Sequence, residues 1–207
     1  MNTTQTYEGF IPHIQSFINK SIPGERKTIL QVLVDYIQQS IDNKGFVNLN
    51  FICTHNSRRS QFAQVWAQVA AAYYRIDATC FSGGVEVTAF NSRAIDSLLR
   101  TGFKIAANNN ASNPKYSIYY HNDMAPAVCF SKEFDHHINP TTHFAAVMTC
   151  SHADENCPFI PGAEKRIPLL YDDPKAFDGT PEEAIKYDER SAQIASEMFY
   201  VFSKVNA

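Results

Sequence analysis

A cysteine and an arginine separated by five residues form the pattern with the clearest chemical meaning. Cys53 ends the apolar run 47–53, and Arg59 and Ser60 follow where a helical pattern begins. A loop between a strand end and a helix start directs backbone N–H groups inward, where they and the helix dipole bind a tetrahedral oxyanion. That positive potential favours a nucleophilic thiolate, and a guanidinium can donate to two oxygens of the anion. The sequence therefore predicts a nucleophile, Cys53, in an oxyanion-binding loop of Thr54, His55, Asn56, Ser57, Arg58, Arg59 and Ser60. An unreactive cysteine in a polar turn is the alternative.

Two further cysteines follow another apolar run. Cys150 comes directly after residues 144–149, and six residues separate it from Cys157. Because the carboxyl ends of parallel strands meet at one edge of a sheet, three thiols there could pass a disulfide along: one attacks, the second resolves and the third carries the oxidising equivalent to the surface. Two buried core thiols are one alternative. A zinc site is another, and it would draw on Cys150, His152, Asp154 and Cys157 with His136, His137 or His143. The spacing lacks the Cys-x2-Cys pair of structural zinc sites, so we predict no metal.

Other polar and thiol groups have predicted supporting roles. Ser60 can hydrogen-bond a thiolate, and Asn56 suits a left-handed backbone position inside the loop. Asp173, in the Asp-Asp-Pro sequence after the fourth apolar run, could protonate a leaving oxygen as a general acid, although a plain Asp-Pro turn is the simpler explanation. Cys80 and Cys129 each lie inside an apolar run, and we predict that both contribute only to packing.

Composition excludes several classes of protein. With 44% apolar and 19% charged residues among 207, the chain can bury enough surface to fold. Eighteen basic against 21 acidic residues give a net charge of -3, so a nucleic-acid partner is not expected. The apolar runs are too short for a membrane span, and no signal-peptide pattern opens the chain. Five cysteines indicate thiols rather than a disulfide framework, and we predict a cytoplasmic protein without a cofactor.

Apolar patterns along the chain alternate between strand and helix signals. Runs at 47–53, 78–82, 144–149 and 166–170 predict strands, and helical patterns occupy the segment before residue 46, the segment after residue 59, 91–101 and 181–204. This alternation implies right-handed crossovers and a parallel sheet covered on both faces. We therefore predict a three-layer α/β domain with a four-stranded parallel sheet. Residues 1–46 would form a helical extension packed on the core of the domain 47–207, and 107–143 an inserted hairpin that covers the site, binds a partner or mediates dimerisation.

The motifs together resemble the low-molecular-weight protein tyrosine phosphatase superfamily, and within it the thioredoxin-coupled arsenate reductases. The resemblance rests on CTHNSRRSQ at 53–61, SGGVEVTAFNSRAIDSLLRTGFKI at 82–105 and MTCSHADENCPFIPGAEKRIPLLYDDPKAFDGTPEE at 148–183. It covers residue 47 to the C-terminus apart from the insertion. The loop and the Asp-Pro pair are shared with the phosphatases, whereas the paired later cysteines are typical of the reductases.

The resemblance implies a role for each matching residue. Cys53 would be the nucleophile, Arg59 the oxyanion clamp, Asn56 an organiser of the loop, Ser60 a stabiliser of the thiolate and Asp173 the general acid. In a reductase, Cys150 would attack Cys53 to expel arsenite, Cys157 would attack Cys150, and thioredoxin or another thiol reductant would reduce the resulting disulfide.

Two other functions stay open at this point. A phosphatase acting on a phosphotyrosine protein or a small phosphomonoester would hydrolyse a phospho-cysteine with water. An oxyanion-binding or zinc-binding interaction module would carry out no reaction. The chain also departs from the family pattern, because His55 replaces a usual glycine and could reshape the pocket, and Arg58 adds charge where a small residue is common.

Overall fold

The computed structural model describes residues 11–108, 111–156 and 159–206. The helices in these ranges are α1 (Ile11–Ile18), α2 (Gly24–Lys44), α3 (Arg59–Tyr74), α4 (Ser92–Arg100), α5 (Ser151–Asn156) and α6 (Glu183–Phe202), with a 3-10 helix at Pro174–Phe177. The strands are β1 (Val47–Cys53), β2 (Ala78–Gly84), β3 (Lys104–Ala107), β4 (Tyr116–Tyr119), β5 (Ala127–Cys129), β6 (Phe144–Met148) and β7 (Ala163–Pro168).

The main sheet contains four parallel strands in the order β2-β1-β6-β7. Helices cover the sheet, so the predicted three-layer α/β class is confirmed. Ile52 pairs with Met148, which brings the carboxyl ends of β1 and β6 side by side. The predicted strand 166–170 lies at Ala163–Pro168 instead, a shift within the uncertainty of strand boundaries read from a short apolar run.

Strand β2 extends two residues beyond its predicted end, through Gly83 and Gly84. A Cβ atom at Gly83 would lie 2.3 Å from the Cα of Phe134, and one at Gly84 would lie 2.7 Å from the backbone N of Asn56. Neither distance is sterically possible for a side chain. The two glycines therefore let other backbone segments approach this strand end closely.

Helix α3 lies at the centre of the larger hydrophobic core. Trp66 is fully buried, and its Nε1 donates to the Ser191 Oγ of α6 at 2.9 Å. The rings of Phe17 and Phe103 each meet the indole edge-on with centroids 5.0 Å away. Since Phe17 belongs to α1, the N-terminal helices contribute to the same core as the sheet. The division of the chain at residue 46 stays a prediction.

The predicted inserted hairpin is a three-stranded antiparallel sheet, β3-β4-β5. It begins at Lys104, earlier than the predicted residue 107. After β5 the chain returns to the main sheet, where Gly84 and Glu133 form a parallel bridge. Residues 109 and 110 of the insertion lie outside the described part of the chain.

Two cysteines pack in the core, as predicted from their apolar surroundings. Cys80 and Cys129 are buried, and burial raises the pKa of both thiols, that of Cys129 to about 12. A thiol held in its protonated form is a poor nucleophile. Neither residue therefore competes with the cysteines at the strand ends.

No helix in the described ranges combines the length and the apolar character needed to cross a bilayer.

Candidate active site

The loop between β1 and α3 contains a hydrogen-bonded chain that ends at Cys53, the predicted nucleophile. Cys53 is 3% exposed, and its Sγ lies 3.0 Å from the Oγ of Ser60. The Asn56 Nδ2 donates to the same Oγ at 2.9 Å. Because Ser60 already accepts this bond, its own hydroxyl hydrogen is available to donate to the sulfur. A donor aimed at Sγ stabilises the thiolate, so the geometry supports the thiolate-stabilising role predicted for Ser60.

All four carbonyl groups of residues 54–57 point out of the loop and accept hydrogen bonds from neighbouring segments. The Thr54 carbonyl accepts from Val85 N and Glu86 N, and the His55 carbonyl accepts from Ser131 Oγ and Thr88 Oγ1. The Asn56 carbonyl accepts from Gln61 Nε2, and the Ser57 carbonyl accepts from Asn91 N. Within the described part of the chain, the backbone N–H groups of residues 55–58 have no protein acceptor. Peptide groups whose carbonyls are fixed outward present their N–H groups to the other side. This arrangement is a nest for a tetrahedral anion.

Asn56 and His55, next to each other in the loop, have different backbone conformations. Asn56 has φ 45°, the left-handed conformation predicted for it. His55 lies outside the left-handed region, so a histidine replaces the usual glycine without backbone strain. Its Nε2 lies 3.2 Å from the Oε2 of Glu86. The expected reshaping of the loop by His55 is therefore not seen in its backbone.

Arg59 and Asp173 lie together beside the loop. The Arg59 Nη2 donates to the Asp173 Oδ2 at 2.8 Å, and the Nη1 donates to the Tyr171 carbonyl at 3.0 Å. The Arg59 Nε is buried and has no hydrogen-bond partner among the described residues. Asp173 also accepts from the Lys175 N–H through Oδ1. Asp173 thus caps the 3-10 helix, as an Asp-Pro turn would, and also reaches Arg59. Its role as general acid stays a prediction.

Arg58 anchors the loop to the final helix. Its Nε donates to the hydroxyl of Tyr187, which donates in turn to Asp178 at 2.8 Å. Burial and the bond to Asp178 raise the pKa of Tyr187 to about 12, so this phenol stays neutral. Arg58 also lies 4.0 Å from Asp173. The extra charge expected at this position is thus balanced by nearby carboxylates.

A second thiol lies at the rim of the loop. Cys150 is 1% exposed, and its Sγ lies 3.4 Å from the Oγ1 of Thr54. The N–H of Ala153 donates to the same sulfur at 3.4 Å. Cys53 and Cys150 share one small apolar cluster at the ends of β1 and β6. The structure thus brings together two of the three predicted thiols, while Cys157 lies outside the described residues.

The segment that follows β5 supports the loop from behind, a role that the sequence did not reveal. Ser131 Oγ donates to the His55 carbonyl at 2.8 Å, and the Lys132 N–H donates to the Asn56 Oδ1 at 3.0 Å. Lys132 is only 2% exposed, and desolvation lowers its pKa to about 8. Its Nζ lies 4.9 Å from the Phe130 ring centroid. Ser131 and Lys132 were the available signal, because two polar residues directly follow the apolar run that ends in Phe130.

We expect Ser131→Ala to weaken anion binding severalfold and to lower the free energy of unfolding by about 1–2 kcal/mol. The change removes the acceptor of the Thr88 N–H and leaves the His55 carbonyl with only a 3.3 Å bond from Thr88 Oγ1. Calorimetric titration with inorganic phosphate and denaturant unfolding would measure the two effects. Ser21→Ala, an exposed serine, is the control. Unchanged phosphate affinity in Ser131→Ala would contradict the supporting role.

A cleft of about 530 Å³ opens beside the loop. One wall carries the side chains of His55 and Arg58, and Lys175 lies at the same cleft. The insertion contributes Ser112 and Tyr116 to its lining. The insertion therefore borders a cleft beside the loop as well as supporting the loop.

The zinc alternative finds no support in the described ranges. No group of three or more His, Cys, Asp or Glu residues there could hold a metal ion. The Nδ1 of His143 lies 2.9 Å from Glu164, and the rings of His136 and His137 lie against each other with centroids 4.2 Å apart. Cys157, which that alternative requires, lies outside these ranges.

Comparison with known proteins shows the family of the chain. An arsenate reductase of Staphylococcus aureus is 32% identical over 124 residues, which are 60% of this chain and 76% of the relative. The chain belongs to this arsenate reductase family. A second member, arsenate reductase 2 of Staphylococcus epidermidis, is 29% identical over 125 residues with the same two coverages. No family model matches the chain.

The fold also has a counterpart among solved structures. A low-molecular-weight phosphotyrosine phosphatase from Vibrio cholerae superposes with a TM-score of 0.50, covering 76% of this chain and 94% of that one at 13% identity. At this identity the likeness concerns the fold alone. The arsenate reductase family member described here thus has the low-molecular-weight phosphatase fold, as its motifs indicated.

Proposed function

We propose that this protein reduces arsenate to arsenite with Cys53 as nucleophile and a disulfide relay through Cys150 and Cys157. Arsenate would bind to the inward N–H groups of the loop and to Arg59. The family relationship supports the reaction, and the free amides and the Cys53–Ser60 contact support the binding and activation steps.

The proposed reaction balances in electrons and atoms. The Cys53 thiolate attacks As(V) and displaces an oxygen that leaves as water, with Asp173 as the proton donor. Cys150 then attacks the Cys53 sulfur: the new S–S bond forms, the S–As bond breaks, and its electron pair stays on arsenic, which leaves as arsenite. Cys157 attacks Cys150 and frees Cys53. A dithiol reductant, for which we propose thioredoxin, reduces the Cys150–Cys157 disulfide.

The observation that carries this proposal is the position of Cys150. Its thiol lies 3.4 Å from the Thr54 hydroxyl of the oxyanion loop, in the same apolar cluster as Cys53. Hydrolysis of a phospho-cysteine needs no second thiol there, whereas expulsion of arsenite requires one. Chemistry that depends on reduced thiols fits the cytoplasm, where we place the protein.

A phosphatase is the second candidate, because Asp173 stands beside Arg59 at the site. A carboxyl group there suits protonation of a phosphomonoester leaving group, from either a phosphotyrosine protein or a small molecule. This function predicts steady hydrolysis of an aryl phosphate without oxidation of any thiol.

Disulfide mapping would separate the two functions. We expect stoichiometric arsenate, added to the fully reduced protein, to produce a Cys150–Cys157 disulfide, and phosphate to produce none. After free thiols are blocked, cleavage following Glu155 places the two cysteines in different peptides, so mass spectrometry reports the bond directly. Cys157→Ser should stop the relay at a Cys53–Cys150 disulfide. If arsenate left all thiols free, the reductase proposal would be wrong.

A further inference from the structure

The hydroxyl of Thr54 connects two side chains of the segment that carries the second thiol. Its Oγ1 lies 3.4 Å from the Cys150 Sγ and 3.3 Å from the Nδ1 of His152. A hydroxyl can accept one hydrogen bond and donate another. Thr54 can therefore accept from the thiol and donate to the imidazole, when His152 carries its own proton on Nε2.

Cys150 must lose its proton before it can attack, because the thiolate is the nucleophile in disulfide exchange. Cys150 is 1% exposed and packs in an apolar cluster with Ile52 and Met148. The groups within hydrogen-bond distance of its sulfur are the Ala153 N–H, in the first turn of α5, and the Thr54 hydroxyl. A proton acceptor that reaches the thiol through Thr54 would remove its proton.

We propose that His152 accepts the proton of Cys150 through the Thr54 hydroxyl and so generates the thiolate that attacks Cys53. The proton moves from the Cys150 Sγ to the Thr54 Oγ1, and the hydroxyl proton of Thr54 moves to the His152 Nδ1. No electrons change hands in this transfer. In the attack that follows, the S–S bond forms and the S–As bond breaks as described above. The His152 side chain is exposed, so the imidazolium can release its proton to water.

This inference rests on the proposed function, because Cys150 attacks the Cys53 sulfur only after Cys53 has formed a bond to the arsenic of the substrate. It goes further by assigning a role to a histidine that the site prediction used only for zinc. His152 touches no reacting atom and acts through Thr54, so its contribution must be separated from a structural one. A pH profile makes that separation, since only a proton acceptor changes the shape of the profile.

The elements that carry Thr54 and His152 also carry other charged or titratable groups. These are Cys150 before α5, Asp154 and Glu155 on α5, with Arg166 of β7 paired to Asp154, and Cys53 and His55 at the loop, with His55 paired to Glu86. Because both of these pairs remain in a His152 variant, the change in the profile reports the imidazole itself.

The test measures Cys150 reactivity in the full chain without arsenate. Reduced protein is treated with iodoacetamide between about pH 5.5 and 9, and the labelled Cys150 is quantified by mass spectrometry after cleavage following Glu155. In His152→Asn an acceptor remains for Thr54, but the side chain takes no proton. We expect the labelling rate at neutral pH to fall about tenfold and the midpoint of the profile to rise by about one pH unit.

Two comparisons make the result decisive. Thr54→Val should slow labelling at least as much as His152→Asn, because it also removes the direct contact with the Cys150 sulfur. Adding His152→Asn to Thr54→Val should slow labelling no further, because both changes break the same relay. His137→Asn, away from this segment, should leave the profile unchanged. An equal fall at every pH would show that His152 only shapes the site, and an unchanged profile would also overturn the inference. Since no arsenate is present, these outcomes are independent of whether arsenate is reduced.

Discussion

Cys150→Ser is expected to lower steady-state arsenate reduction by a factor on the order of 10³ or more while aryl phosphate hydrolysis, if present, continues. The serine hydroxyl cannot attack the Cys53 sulfur, so the arsenic adduct persists and arsenite is not released. Hydrolysis by Cys53 and water involves neither later cysteine. Coupled turnover with a dithiol reductant and a separate aryl phosphate assay would measure the two activities on the same preparation.

The matched variant Cys53→Ser should lose both activities, because it removes the nucleophile common to both reactions. Phosphate titration would check that each variant keeps an intact loop, since the loop N–H groups do not depend on either sulfur. Full arsenate reduction by Cys150→Ser would eliminate the relay. A parallel loss of hydrolysis in that variant would instead indicate damage to the loop that Cys150 contacts through Thr54.

Local sequence patterns were sufficient to predict the main sheet and the position of the loop. The run 47–53 reads as a buried strand, and β1 matches it residue for residue. Because parallel strands place their carboxyl ends at one edge, the positions of Cys53 and Cys150 in the sequence also predicted their proximity. That argument needs only strand direction, which follows from alternating strands and helices, whereas the order that makes β1 and β6 neighbours came from the structure.

Long-range contacts could not be predicted in the same way. Ser131 lies 76 residues beyond His55, yet its hydroxyl fixes the orientation of that carbonyl. Nothing in the residues around position 131 indicates which backbone group they will meet, because the meeting depends on how the inserted sheet returns to β2. The polar pair Ser131 and Lys132 and the adjacent glycines Gly83 and Gly84 were local signs of a close approach, but neither pair identifies its partner.

The same limit explains why the role of His152 was not apparent from the sequence. The zinc interpretation grouped it with cysteines near it in the chain. Its actual partner is Thr54, 98 residues earlier. The side chains that surround the reacting sulfur atoms come from the ends of β1 and β6. They are neighbours at one edge of the sheet although they lie far apart in the sequence.

Asp173→Asn is expected to lower kcat about 100-fold and to tighten oxyanion binding severalfold. A general acid typically contributes about 10²–10⁴ to a rate, and an asparagine cannot protonate the oxygen that leaves as water. Binding should improve because the Asp173 carboxylate now holds the Arg59 Nη2 at 2.8 Å. Removing that charge frees the guanidinium for the anion. Asparagine can still accept from the Lys175 N–H, so the cap of the 3-10 helix is preserved.

The neighbouring residue supplies the control for this experiment. The Asp172 side chain is 97% exposed and pairs with Arg190, so Asp172→Asn removes the same charge from the same turn without touching Arg59. Single-turnover arsenate reduction and phosphate titration on both variants would separate a lower kcat from a lower dissociation constant. If Asp173→Asn weakened phosphate binding, the ion pair would be orienting Arg59 towards the anion rather than competing with it. An unchanged kcat would assign the leaving-oxygen proton to another donor.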